Sequence, residues 1–105
     1  MKYKKAEYKE SIGSSHRGEF TADLYKLEDL FGIPYEGADA RTNVEWIIKF
    51  DDGTIATIYD WKTEEDPTKN KIWTIGGNSK KAFYYIASIV TKHYKPLMKN
   101  IFGDK

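Results

Sequence analysis

Five consecutive residues have the types and the order to hold an anion: Gly76, Gly77, Asn78, Ser79 and Lys80. They follow a short apolar run and precede an apolar-periodic one, as at a strand-to-helix turn. Glycines at such a turn let the backbone bend sharply and bring bare N–H groups forward. The positive end of the helix dipole then favours negative charge. The ligand of this chemistry would be phosphorylated: a nucleotide signal or a nucleic acid. The spacing departs from both G-x-x-x-x-G-K-[ST] and G-x-G-x-x-G. The same residues also suit a plain tight turn with Asn78 or Ser79 as the helix cap, and both readings stay open.

Aromatic rings are the second resource. Trp46, Tyr59, Trp61 and Trp73 fall in strand-like segments, and a base stacked on such a ring gains roughly 1–3 kcal/mol. Trp46 and Tyr59 are expected in a sheet-to-helix core. Trp61 and Trp73, near strand ends, suit either the core or a surface. Glu45 and Asp60 are expected as cross-strand neighbours, and paired carboxylates can share a proton or bind a metal. Lys49, Lys62 and Lys71 make solvated ion pairs the competing reading. His16 and His93 have no companion at metal-ligand spacing. A Ser–His nucleophile in "SSHRG" would need a third group that the sequence does not supply. Lys80, Lys81, Lys92, Lys95 and Lys99 either steer a phosphate-rich partner or form the solvated face of a helix.

These groups depend on a few elements. "TADLYKLEDLFG" predicts a helix with Leu24, Leu27, Leu30 and Phe31 on one face and Thr21 as cap, stopped by Gly32 and Pro34. "TNVEWIIKFDDGTIATIYDWK" predicts a hairpin turning at Asp52-Gly53. A two-residue turn there pairs Phe50 with Ile55, Ile48 with Thr57, Trp46 with Tyr59 and Val44 with Trp61 on the face expected to meet the helices. Lys49–Ala56, Ile47–Ile58 and Glu45–Asp60 fall on the other face. Lys71–Ile75 reads as a third strand. A second amphipathic helix carries Phe83, Ile86, Ala87, Val90 and Tyr94, and Pro96 ends it. The first ten residues read as a charged edge strand or a loose arm, Ser11–Phe20 and Ile33–Thr42 as connectors, and "LMKNIF" as a last turn. The fold class is α+β: one domain over residues 1–105, a small antiparallel sheet of three to four strands around a central hairpin, packed against two helices. Residues 1–20 are an edge strand or a flexible arm.

Composition narrows the function. With 105 residues the chain suits one domain. Seventeen basic and sixteen acidic side chains leave a net charge of +1, unlike a dedicated nucleic-acid coat or an acidic mimic of one. There is no cysteine, which removes disulfides and thiolate metal sites and fits a reducing cytoplasm. No apolar run approaches the ~18 residues of a membrane span, and "MKYKKAEYKE" lacks the core of a signal peptide. The expectation is a cytoplasmic protein with no membrane association and no cofactor. Eight tyrosines, five phenylalanines and three tryptophans exceed what so small a core needs, so some rings belong at contacts with partners.

"FGIP" at Phe31–Pro34, Glu45-Trp46, Phe50, Asp52–Lys62 and "WTIGG" at Trp73–Gly77 together resemble a family of small bacteriophage-encoded accessory proteins. Its pattern runs Phe-Gly-x-Pro, an "EW…F-DG-T-x-A-T-I-Y-x-W-K" hairpin and "W-H-I-G-G". Thr74 stands where that pattern has His. The resemblance covers about residues 24–86. It implies a phage setting and a small non-enzymatic inhibitor of host machinery or antiviral defence. The first expectation is therefore a protein that binds a host nucleic-acid-processing or defence enzyme, with Trp61, Trp73, Tyr84 and Tyr85 as anchors. The alternative is capture of a phosphorylated ligand at Gly76–Lys80. A homodimer is expected if one sheet face stays uncovered by helices. A hydrolase on Glu45 and Asp60 or on His16 ranks last, because no constellation converges.

Overall fold

A computed structural model describes residues 2–37, 42–61 and 66–100. The elements run β1 (Tyr3–Lys5), β2 (Ser15–Thr21), α1 (Leu24–Phe31), β3 (Tyr35–Glu36), β4 (Thr42–Phe50), β5 (Ile55–Trp61), β6 (Ile72–Gly77), α2 (Lys81–Val90) and β7 (Met98–Asn100), with single 3-10 turns at Tyr8–Ser11 and Pro67–Lys69. The class is α+β, and among the described residues one antiparallel sheet has seven strands rather than three to four. Its order is β1-β4-β5-β6-β2-β7, and β3 pairs with β4 beyond β1. The edge-strand reading of the N-terminus holds for Tyr3–Lys5. The supposed connectors contain β2 and β3, and the supposed last turn contains β7, with residues 101 and 102 outside the described residues.

The hairpin turns where its Asp-Gly predicts, but its register differs by one residue. Gly53 N–H donates to Phe50 O at 2.9 Å and Phe50 N–H to Thr54 O at 2.9 Å. Asp51, Asp52 and Gly53 therefore form a three-residue loop with Gly53 at φ 88°, the turn-plus-bulge form that needs one left-handed residue. Lys49 now faces Ile55, Ile48 faces Ala56, Trp46 faces Ile58 and Glu45 faces Tyr59, with a further irregularity between Thr42 and Glu45. A one-residue slip turns over every side chain of one strand. β4 keeps Trp46, Ile48 and Phe50 toward the helices as expected, whereas β5 sends Ala56, Ile58 and Asp60 there and turns Thr57, Tyr59 and Trp61 the other way.

Both helices pack on the first face. The main core joins Phe20, Leu27, Trp46, Ile48, Phe50, Ile58, Trp73, Ile75, Phe83, Ile86 and Val90. Trp46 and Trp73 meet edge-on at 5.5 Å between centroids. Their indole N–H groups donate to Gly32 O at 2.7 Å and Ala22 O at 3.1 Å, so neither polar atom is stranded. A buried ring of this kind removes ~150–250 Å² from water, which at ~25 cal/mol/Å² is roughly 4–6 kcal/mol of transfer free energy. Asp23, not Thr21, caps α1, accepting from Lys26 N–H at 2.8 Å. Thr21 instead ties the C-terminal segment, its backbone O taking the Tyr94 hydroxyl at 2.8 Å and its Oγ1 the Leu97 N–H at 2.9 Å.

Glycine sets how closely the layers approach. A Cβ on Gly18 would lie 2.5 Å from the Phe83 ring, and one on Gly77 would overlap the Ala82 methyl and stand 2.6 Å from Ile55 O. Phe83 and Ala82 belong to α2, so these two positions let that helix lie directly on β2 and β6.

Candidate functional site

Among the described residues, the opposite face of the sheet carries no α-helix. Residues 6–11 cross part of it. Ala6 is buried with Ile47 and Ile55, and Tyr35 packs against them. The crossing is pinned by polar contacts. Tyr35 hydroxyl donates to Ala6 O at 3.0 Å, Tyr8 hydroxyl to Glu45 Oε1 at 3.0 Å and Lys49 Nζ to Glu10 Oε1 at 3.1 Å. The hydrogen bond from Glu7 N–H, followed by that from Lys49, holds the Glu10 carboxyl below its usual range.

Beside this crossing lies a cleft of about 180 Å³. Ser11, Ser14 and Ser15 form its rim on the approach to β2, while Thr42, Glu45, Thr57, Tyr59, Trp61 and Gly76 supply the sheet side. The one-residue shift in the hairpin creates this wall. It places Tyr59 opposite Glu45 and sets the Tyr59 and Trp61 rings edge-on at 6.0 Å and 83°. Trp61 keeps 39% of its surface exposed. Partial burial, then the charge of Glu45, raises the Tyr59 hydroxyl above its ordinary pKa, so it stays a protonated donor at neutral pH. Gly76 forms part of the floor, where a Cβ would stand 2.5 Å from Thr57 Oγ1 and 3.4 Å from the Tyr59 ring. Ser14 Oγ is buried and has no hydrogen-bond partner, and it is the only such side-chain atom among the described residues.

The expected anion turn takes a different form. Gly76 and Gly77 lie inside β6, buried, paired with Thr57 and Ala56 on one side and with His16 and Ser15 on the other. The sheet ladder therefore engages backbone that the turn reading had left bare. Asn78 extends the ladder rather than capping a helix: its N–H donates to Ile55 O at 3.1 Å and its Oδ1 accepts from Ile55 N–H at 3.0 Å. Ser79 Oγ accepts from Lys81 N–H at 3.1 Å. Lys80 is exposed just ahead of α2. The shallow depression nearby also contains Asp52. The hydrogen bond from the Tyr85 hydroxyl at 2.6 Å, the largest influence on Asp52, lowers its carboxyl to about 2, and this carboxylate pairs with the Lys81 ammonium at 3.8 Å, so the cation there is already engaged.

The four anchor candidates are dispersed. Trp73 is 0% exposed and belongs to the core, a correction of the expectation that it meets a partner. Tyr84 is exposed on α2, while Tyr85 is partly buried against Phe50 at 4.9 Å and bonded to Asp52. Both stand on the helix layer, away from the sheet face that carries Trp61. The Glu45–Asp60 pair is also absent. Asp60 points into the helix-side layer, fully buried, where Oδ1 accepts from the N–H groups of Asn43 at 2.9 Å and Val44 at 3.1 Å and Oδ2 from the Asn43 side-chain amide at 2.9 Å. It anchors the irregular start of β4, which is a structural role. His16 is exposed on β2 and His93 in the turn after α2. Among the described residues no group of His, Asp or Glu could hold a metal ion, and no helix is long and apolar enough to cross a membrane. Lys62 lies outside the described residues.

The hydroxyl-lined cleft is what the sequence reading missed. Its signal was present in "SIGSSH" and in the Asp51-Asp52-Gly53 triplet, whose extra acidic residue permits a three-residue loop and hence the register that turns Thr57, Tyr59 and Trp61 outward. No protein-family model, curated protein or solved structure matches the chain.

Proposed function

We propose that this chain is a non-enzymatic binding protein whose recognition surface is the helix-free face of the sheet, centred on Trp61 and Tyr59. The partner is a protein, and binding inhibits it. The phage-type pattern that the chain resembles supports a host or antiviral-defence protein in that role. The observation that carries the reading is a half-exposed tryptophan held edge-on by a tyrosine over a concave, polar-rimmed surface. A rigid aromatic anchor ringed by polar groups is the usual composition of an interface hot spot. Tyr84, exposed on the other layer, is a subsidiary contact in this reading, and Trp73 has none.

The test is affinity capture from bacterial lysate with the wild-type protein and Trp61→Ala in parallel. The captured protein is then purified, and its binding and activity are titrated. A saturable partner that Trp61→Ala fails to retain, and whose activity falls on binding, supports the proposal. If no protein binds saturably, or if wild type and variant retain the same partners equally, it fails.

A further inference from the structure

We propose that the cleft beneath Trp61 binds a neutral polyhydroxylated ring, either a single sugar residue or the ribose of a nucleoside. This goes beyond the protein-docking reading and does not depend on it.

The lining decides the ligand chemistry. Six of the residues that line this small space carry hydroxyls: Ser11, Ser14, Ser15, Thr42, Thr57 and Tyr59. A hydroxyl both donates and accepts, so a surface made of them best matches a ligand whose own groups do both. Among the described residues that line the cleft there is no lysine, arginine or histidine, and Glu45 is the one charged member. Among the described lining residues a phosphate would meet a carboxylate and no cation. Ser14 Oγ adds a second, independent observation. Buried polar atoms are nearly always paired, and this one is buried without a partner at the cleft. A rotation of the Ser14 side chain toward the cleft would let a ligand hydroxyl complete it.

Size and shape limit the ligand further. About 180 Å³ is about six water volumes at ~30 Å³ each, and below the ~300–1,000 Å³ that drug-sized ligands occupy. That suits one ring seated in the cleft. The indole of Trp61 offers a flat apolar wall to the C–H side of such a ring, while the hydroxyls address its polar edge. Gly76 keeps the floor clear, since a Cβ there would stand 2.5 Å from Thr57 Oγ1 and crowd the space the ring would fill.

The experiment is an NMR titration of the isolated full chain, following backbone amides and the Trp61 indole N–H. The probes are methyl glucoside, methyl galactoside, methyl mannoside and N-acetylglucosamine, then free ribose, adenosine and uridine with their 2′-deoxy forms, and inorganic phosphate. The expected result is saturable shifts confined to Thr57, Tyr59, Trp61, Gly76 and the serine rim with one of the two ring classes. Hexosides without nucleosides assign a saccharide. Ribose and nucleosides with loss on 2′-deoxygenation assign a ribose. Ser14→Ala, which deletes only the unpartnered oxygen, should keep the fold and weaken binding about tenfold, the equivalent of one hydrogen bond. The proposal is overturned if neither class shifts the cleft resonances at tens of millimolar, if phosphate binds there as well as the sugars do, or if Ser14→Ala binds as tightly as wild type. These outcomes are read without any protein partner, so they leave the docking proposal to its own test.

Discussion

Adjacent Gly76 and Gly77 face opposite layers, and replacing each with alanine should expose that difference. At Gly77 the new methyl overlaps Ala82 and stands 2.6 Å from Ile55 O. Both obstacles belong to packed elements, and one is backbone, so α2 or the β5–β6 pairing must move. Overpacking costs roughly 1–3 kcal/mol and sometimes more. Against it stands the ~0.4–1 kcal/mol that alanine gains by restricting the unfolded chain. Taking the upper end of that range, Gly77→Ala should therefore lose about 2–2.6 kcal/mol net, or roughly 10–20 °C in Tm for a domain of this size. At Gly76 the main obstacle is Thr57 Oγ1 at 2.5 Å, a β-branched side chain with little rotamer freedom but no backbone behind the contact. A net cost of ~1–2 kcal/mol follows. Thr57→Ala should rescue much of it, with a coupling of ~0.5–3 kcal/mol, and should leave Gly77→Ala unrescued. Urea unfolding followed by tryptophan fluorescence, with unchanged slopes, gives each value. A Gly77→Ala protein within ~0.5 kcal/mol of wild type, or a Thr57→Ala change that rescues both variants, would show that the two glycines do not face opposite layers.

Other consequences are direct. Trp73→Ala removes a fully buried ring packed edge-on against Trp46 and should cost ~3–5 kcal/mol in the same unfolding assay, with retained stability contradicting its core role. Asp52 should titrate near pH 2, and Tyr85→Phe should move it back toward 3.8, as read from the side-chain carboxyl carbon by NMR. Because the folded value is lowered, the stabilisation it brings is present above 3.8 and fades as pH falls toward about 2. Burial, then the charge of Asp23, pushes the Tyr94 hydroxyl up to about 12. One tyrosine should therefore ionise late in an alkaline ultraviolet titration and lose that late step in Tyr94→Phe. With its folded value raised, its contribution is intact below pH 10 and is lost between 10 and about 12.

Much of the scaffold was legible in the chain. The two helices announce themselves through apolar spacing, although α2 ends at Val90 and leaves Tyr94 beyond it, short of Pro96, and Gly32 and Asp52-Gly53 mark real turns. What escaped did so for identifiable reasons. β2 was hidden because an inward position is Gly18, emptied so that Phe83 can lie on it, and an empty position breaks the apolar alternation that identifies a strand. β3 and β7 have two and three residues, too few for periodicity to register. The hairpin register failed because Trp46–Tyr59 and Val44–Trp61 looked like well-matched aromatic and apolar pairs. Hydrophobic matching favoured the two-residue turn, while the Phe50–Thr54 hydrogen-bonding pair selected the three-residue one. That single residue separates a buried Tyr59 from one that lines a cleft. Ser14 and Thr57 could not be recognised as site residues before the register was known.

The most direct test of the helix-free face as the recognition surface is the dissociation constant of the captured protein partner, measured for Trp61→Ala and Tyr84→Ala beside wild type. The expected result is a loss of at least about tenfold, ~1.4 kcal/mol, for Trp61→Ala and a smaller change for Tyr84→Ala. Equal affinity for Trp61→Ala and wild type, with the loss falling on Tyr84→Ala instead, would move recognition to the helix layer and contradict the account.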